Sequence, residues 1–269
     1  MIYKEIPIKV EGSQPGAKLI AYIQKYSEGM FVQERPMVIL CPGGGYNHLS
    51  DREAESVALR FLAMGCHAAV LEYSVLPAKF PTQVSELAMA VKIVREHAKE
   101  WHVMENKIVV QGCSAGGHLA ASLGMFWTKN WLWETVGAQN AGEIRPNGMI
   151  LCYPVISSGK FAHQGSFDVL AGDDEQLRQI LSLENQVNEN TPKAFIWHTF
   201  TDETVPVENS LFLVSALRKY SIPTEFHLYP KGQHGLALAT KQTASGDGKY
   251  VQEECSTWIE LAKVWLEEL

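Results

Sequence analysis

Hydrophobic and polar positions divide the chain into short, regular units. Residues 2–10 and 17–25 alternate apolar and polar around the turn Glu11-Gly-Ser-Gln-Pro-Gly16, the pattern of an antiparallel hairpin. From residue 36 the pattern changes. Runs at 36–41, 67–73, 107–111, 148–153 and 194–200 are continuously apolar and rich in β-branched residues, as strands buried on both faces are. A last strand, 224–229, alternates again. Helical spacing fills the gaps. Residues 51–64 predict a helix that Ser50 or Asp51 could cap, and 81–100 a long one with Val84, Leu87, Ala88, Val91 and Val94 on one face. Further helices are expected after residue 115, over 207–220 and over 250–268. Eight strands, the later ones alternating with helices, predict an α/β fold: a mostly parallel sheet with helices on both faces. The stretch 155–190 is irregular and reads as a small cap insertion within one domain spanning 1–269.

Composition narrows the function without choosing it. The 269 residues are 46% hydrophobic and 20% charged, ordinary for a globular chain, and long enough for one large core. The net charge of −7 argues against a nucleic-acid partner, whose binding surface would be basic. The first ten residues alternate like a strand, with no apolar signal region, and no run approaches membrane-spanning length. Five cysteines, Cys41, Cys66, Cys113, Cys152 and Cys255, form no C-x-x-C pair and read as buried apolar side chains in a reducing cytoplasm. A cytoplasmic protein with no membrane partner is expected; homo-oligomerisation is left open.

The chemistry gathers at the ends of the predicted strands, where open α/β sheets bind their ligands. The strand 107–111 runs into Gly112-Cys-Ser-Ala-Gly116, a G-x-S-x-G pattern placed between a strand and a helix. There a sharp turn would project the Ser114 hydroxyl from the sheet edge. The strand 36–41 ends in Pro42-Gly-Gly-Gly-Tyr46, the strand 194–200 is followed by Asp202, and the strand 224–229 by Gly232-Gln-His-Gly235. Serine, acid and histidine thus fall in that order on loops at one edge. A serine needs a base to become a nucleophile, histidine suits that role, and a carboxylate fixes its tautomer. Glycines can offer unobstructed backbone N–H groups to an oxyanion, and Ala115 N–H follows the nucleophile directly.

Other residues compete for each role. His198 and His227 lie within strands and are read as packed or aimed at a helix. His118, one turn past the serine, reads as a structural hydrogen-bonder, and His97 and His102 lie near a helix end on the far side. Glu203 is the alternative acid. Tyr46 and His48, beside the glycines, are candidate substrate contacts; packing or loop bracing are their other readings. Trp127, Trp131 and Trp133 are read as a packed patch before a sugar platform. No metal-ligand spacing occurs, and the glycine loop lacks the features of a nucleotide site, so no cofactor is expected.

The residues at 42–46, 112–118, 201–206 and 232–235 resemble those of the α/β-hydrolase superfamily. Within it they are similar to small carbohydrate acetyl esterases of the acetyl-xylan type and to hormone-sensitive-lipase-like carboxylesterases. The resemblance implies that Gly43, Gly44 and Ala115 form the oxyanion hole, although which of Gly43 to Gly45 face it stays open. It also implies a small-molecule ester substrate, an acetylated saccharide among the candidates. One departure is Pro42, which stands where the lipase-like pattern has a histidine that could brace the loop. Two rival functions remain: a small serine peptidase of the prolyl-oligopeptidase type, and a non-catalytic binding protein on a hydrolase scaffold.

Overall fold

A computed structural model describes residues 1–269. Its centre is an eight-stranded sheet in the order β1-β2-β4-β3-β5-β6-β7-β8. β1 (Ile2–Pro7) and β2 (Lys18–Ile23) pair antiparallel, and β2 lies antiparallel to β4 (His67–Glu72). From β4 onward every neighbouring pair is parallel: β3 (Arg35–Cys41), β5 (Val103–Cys113), β6 (Gly148–Cys152), β7 (Lys193–Thr199) and β8 (Thr224–Tyr229). The α/β architecture expected from the sequence is therefore the one observed.

Two apolar layers explain why these strands read as unbroken hydrophobic runs. Successive side chains of a strand point to opposite faces. In β3, Met37, Ile39 and Cys41 enter one core and Val38 and Leu40 the other. The first core receives α2 (Thr82–Glu96), the short α3 (Ala98–Trp101), α4 (Ala115–Phe126) and α5 (Asn130–Thr135). It also receives α8 (Glu208–Lys219), through Leu213 and Leu217. The second core is covered by α1 (Glu55–Ala63) and α9 (Trp258–Glu267), through Phe61, Trp258, Ile259 and Trp265. The segment 155–190 contributes α6 (Gln164–Ala171) and α7 (Glu175–Ile180), and its Phe167, Leu170, Leu181 and Leu183 lie in the first core.

Element boundaries differ from expectation for local reasons. β5 begins at Val103, because Val103 pairs with Arg35; exposed Glu105 and Asn106 break the apolar run that would have announced it. The helix expected over 51–64 is a 3-10 turn, Asp51–Glu53, then a break at Ala54 and α1; the Ser50 side chain makes no capping bond. The 81–100 helix breaks at His97. The closing helix begins at Trp258, where apolar spacing starts, after a 3-10 turn at Cys255–Thr257. All five cysteines are buried and free.

Candidate active site

Ser114 follows β5 directly and precedes the first turn of α4. Its backbone has φ 55° and ψ −121°, a strained conformation for a residue with a side chain. Close packing holds it there. A Cβ on Gly116 would come within 1.9 Å of Cys41 O, and one on Gly112 within 2.0 Å of Gly116 O, so only glycine fits either side of the turn. Ser114 N–H donates to Cys152 O, and Ser114 O accepts from His118 and Val155 N–H.

The loops after β7 and β8 bring the acid and base to this turn. Thr199 and Thr201 hydroxyls both donate to Gly232 O, tying the two loops together. His234 Nδ1–H donates to Asp202 Oδ2 at 2.6 Å, since a carboxylate there can only accept. That leaves His234 Nε2 as the acceptor for the Ser114 hydroxyl, at 2.7 Å. Asp202 is 5% exposed and Ser114 7%. Burial alone would raise the Asp202 carboxyl. Hydrogen bonds from His198 and His234, the nearby His234 charge and the Val205 N–H outweigh it, and hold the group below the usual carboxylate range. Its other oxygen, Oδ1, accepts from Thr204 and Val205 N–H. Glu203 is exposed and has no part in this chain of bonds.

His198 is aimed at a helix, as expected, through Ser210 on α8 at 2.8 Å. Its other nitrogen reaches Val205 O at 2.9 Å and Asp202 Oδ2 at 3.3 Å. Both partners only accept, so Nε2 carries a hydrogen, and Asp202 is gripped from both sides. The spacing of four residues between His198 and Asp202 was the only trace of this pair in the sequence.

The glycine loop corrects two expectations. Gly43 N–H is not open: it donates to Glu53 Oε2 at 2.8 Å. A Cβ on Gly43 would meet that oxygen at 2.6 Å and Ser114 Cβ at 3.0 Å, so the glycine serves close approach. The N–H groups of Gly44 and Gly45, in the cleft wall with Ser114, and of Ala115, which follows Ser114, donate no hydrogen bond within the protein. Tyr46 does not line the site. It is 1% exposed, packs edge-on against Tyr73, and its hydroxyl meets His118 Nδ1 at 2.9 Å. His118 Nε2–H donates to Leu181 O at 2.9 Å. Burial pushes the His118 imidazole down to about 4, so it stays neutral in this structural role. Tyr73 donates to Pro42 O at 2.6 Å, bracing the loop where the expected histidine is missing.

A cleft of about 450 Å³ opens over Ser114 and His234. Gly44, Gly45, His48, Arg52, His163 and Tyr250 contribute to its wall, in which Tyr250 is the one hydrophobic residue type. His48 lies in this wall beside the glycine loop. His163 is the one residue of 155–190 in this wall, so that segment is chiefly packed into the core beside the site. A larger hollow of about 510 Å³, between Gly12 and the 77–82 loop, contains none of these groups. Sequence reasoning missed Glu53, Arg52 and His163. Charged and polar residues in loops ordinarily read as solvated, and nothing local marks them as buried.

Comparison with known proteins identifies the family and the fold. The BD-FAE family model matches residues 23–217. The chain is 36% identical over 230 residues to endo-1,4-beta-xylanase B of Butyrivibrio fibrisolvens, covering 82% of this chain and 36% of that protein. It is 30% identical over 221 residues to the acetylxylan esterase of Xylanibacter ruminicola, covering 78% and 43%. The chain therefore spans less than half the length of these curated relatives. The crystal structure of an acetyl ester-xyloside bifunctional hydrolase from Caldicellulosiruptor lactoaceticus superposes with a TM-score of 0.83 at 36% identity, covering 98% of this chain and 96% of that one. With a strained serine turn on a mostly parallel eight-stranded sheet and a family match over most of its length, the chain is an α/β hydrolase and belongs to the BD-FAE family.

Proposed function

We propose that the chain is a serine carboxylesterase that hydrolyses short acyl esters, with acetyl esters of sugars or xylo-oligosaccharides as its substrate class. The observation that carries this reading is the unbroken chain from Asp202 through His234 to Ser114 at the floor of an open cleft. Ser114 Oγ attacks the ester carbonyl carbon while His234 Nε2 takes its proton. The carbonyl oxygen, now negative, is taken by the N–H groups of Gly44 and Gly45 in the cleft wall and of Ala115, next to the nucleophile. The C–O bond breaks, and the alcohol leaves with the proton from His234. Water then repeats the sequence on the acyl-enzyme, with His234 again as base, and releases the acid. Asp202 keeps the imidazole in the required tautomer and stabilises its charged form.

The residue types of the wall support the substrate class. A long acyl chain is best held by aliphatic side chains, and the wall has none from Leu, Ile, Val or Met. His48 and His163 instead present ring nitrogens suited to sugar hydroxyls. The names of the acetylxylan esterase and the acetyl ester-xyloside hydrolase point the same way. The same reading takes residues 1–269 as one domain acting in the cytoplasm without a cofactor; no helix is long and apolar enough to cross a membrane. A panel of p-nitrophenyl esters from acetate to octanoate, run beside acetylated xylo-oligosaccharides, tests it. Rates should fall with acyl length, and acetate should be released from the oligosaccharides. Fastest turnover of octanoate, with no acetate released, would overturn the substrate class.

A further inference from the structure

Between the glycine loop and α1 lies a single 3-10 turn, Asp51–Glu53. Two consecutive side chains leave it toward different loops. Arg52 donates from Nη2 to Gly235 O at 2.8 Å and from Nε to Thr243 O at 2.6 Å, and its guanidinium lies 3.8 Å from the Tyr250 ring centre. Gly235 is the residue after His234. Glu53 turns inward and is 3% exposed. One of its oxygens accepts Gly43 N–H at 2.8 Å, and the other accepts the Tyr153 hydroxyl at 2.7 Å. The Tyr153 oxygen in turn accepts Ala237 N–H at 2.8 Å, and its ring meets His234 edge-on at 5.1 Å.

A buried carboxylate is costly, and Glu53 forms no ion pair that would offset the cost. Stability alone gives little reason to keep it, since apolar side chains of similar shape often serve a buried site as well or better. Its two partners suggest what it does. One is the glycine loop beside the nucleophile; the other leads to the loop that carries the base.

We propose that Glu53 is a positioning residue for ester hydrolysis, setting the distance between the oxyanion donors and His234. By occupying Gly43 N–H it holds the loop so that the next two N–H groups, of Gly44 and Gly45, stay free beside Ser114. Through Tyr153 and Ala237 it holds the histidine loop, which Arg52 clamps at Gly235. The serine, the oxyanion donors and the base are then referenced to one carboxylate. This inference rests on the esterase reading above.

The test is steady-state kinetics on p-nitrophenyl acetate for the wild type and for Glu53→Leu, Glu53→Gln and Tyr153→Phe. Loss of aligned oxyanion donors should lower kcat of Glu53→Leu about 10²-fold, with KM held within about threefold. Glu53→Gln can still accept from Gly43 through its amide oxygen and should recover most of that loss. Tyr153→Phe keeps the ring on Trp197 but breaks the link to Ala237, and should lose about tenfold in kcat. Inhibition constants for a trifluoromethyl ketone, which forms a tetrahedral adduct with the serine, should weaken in step with kcat. If Glu53→Leu does not fold, the Gln and Phe variants and the inhibitor series still decide the matter. Full kcat in Glu53→Leu, equal losses in the Leu and Gln variants, or an unchanged Tyr153→Phe would overturn the proposal. A wild type inactive on every ester would instead overturn the esterase reading itself.

Discussion

The two sides of the cleft are built on different plans. On the histidine side the groups are side chains: Asp202, His234 and Ser114 are joined at 2.6 and 2.7 Å, and His198 backs Asp202 from behind. On the glycine side the groups that the proposed mechanism uses are backbone N–H groups, and the side chains that hold them come from elsewhere. Glu53 holds Gly43, Tyr73 holds Pro42 O, and His118 holds Tyr46. Chemistry carried by side chains is concentrated in a few residue types. Chemistry carried by backbone depends on partners that could be of many types.

Breaking the histidine side should cost most. Ser114→Ala should lower kcat/KM by about 10⁶-fold, and Asp202→Asn by about 10⁴-fold, with the fold retained, as when other triads lose these members. Glu203→Gln should leave the rate unchanged; a large loss there would move the acid role. Behind the acid, His198→Asn can reach Ser210 but not Asp202, and should lose about tenfold in kcat. His198→Gln, whose amide nitrogen occupies the place of Nε2, should recover most of it. Equal losses in the two variants would make His198 a packing residue.

This contrast also sets how much the sequence could reveal. Ser114, Asp202 and His234 were legible because each follows a predicted strand and has a type that few positions can share. The parallel sheet was legible for the same reason, from the change between alternating and continuous hydrophobic runs. Gly43 misled because a free N–H and one occupied by a distant carboxylate look identical in sequence. Tyr46 misled because a residue next to a loop glycine can turn inward, as its φ of 62° makes it do. Arg52 and Glu53 fall at the start of the helix expected over 51–64. The fold uses Glu53 to reach Tyr153, 100 residues on, and Arg52 to reach Gly235 and Thr243, 183 and 191 residues on, contacts that no local pattern encodes.

The two sides should also separate with pH. The His118 imidazole beside the glycine loop is depressed from 6.5 to about 4 by burial. An unfolded chain takes up that proton first, so the stability His118 confers is complete above about pH 6.5 and is lost as pH falls toward 4. The full loss is on the order of 3 kcal/mol. Asp202 is held below the usual carboxylate range, so its contribution survives until still lower pH. Denaturant unfolding from pH 7 to 4 should show the decline, and His118→Gln should make it shallower while leaving the share of His67, which burial also lowers to about 4. An equally steep decline in that variant would place the acid sensitivity elsewhere. The smallest effects belong to the wall. His48→Ala and His163→Ala should lower the rate on acetylated xylo-oligosaccharides, relative to p-nitrophenyl acetate, by about three- to tenfold each. An unchanged ratio would remove them from substrate recognition.

Everything above depends on Ser114 being the nucleophile, and a phosphonate ester probe asks that directly. Intact-mass and peptide mapping after treatment should find one adduct per chain, on Ser114, formed at the rate at which turnover on p-nitrophenyl acetate is lost. A chain that stays unlabelled, or that is labelled elsewhere while turnover continues, would contradict the account.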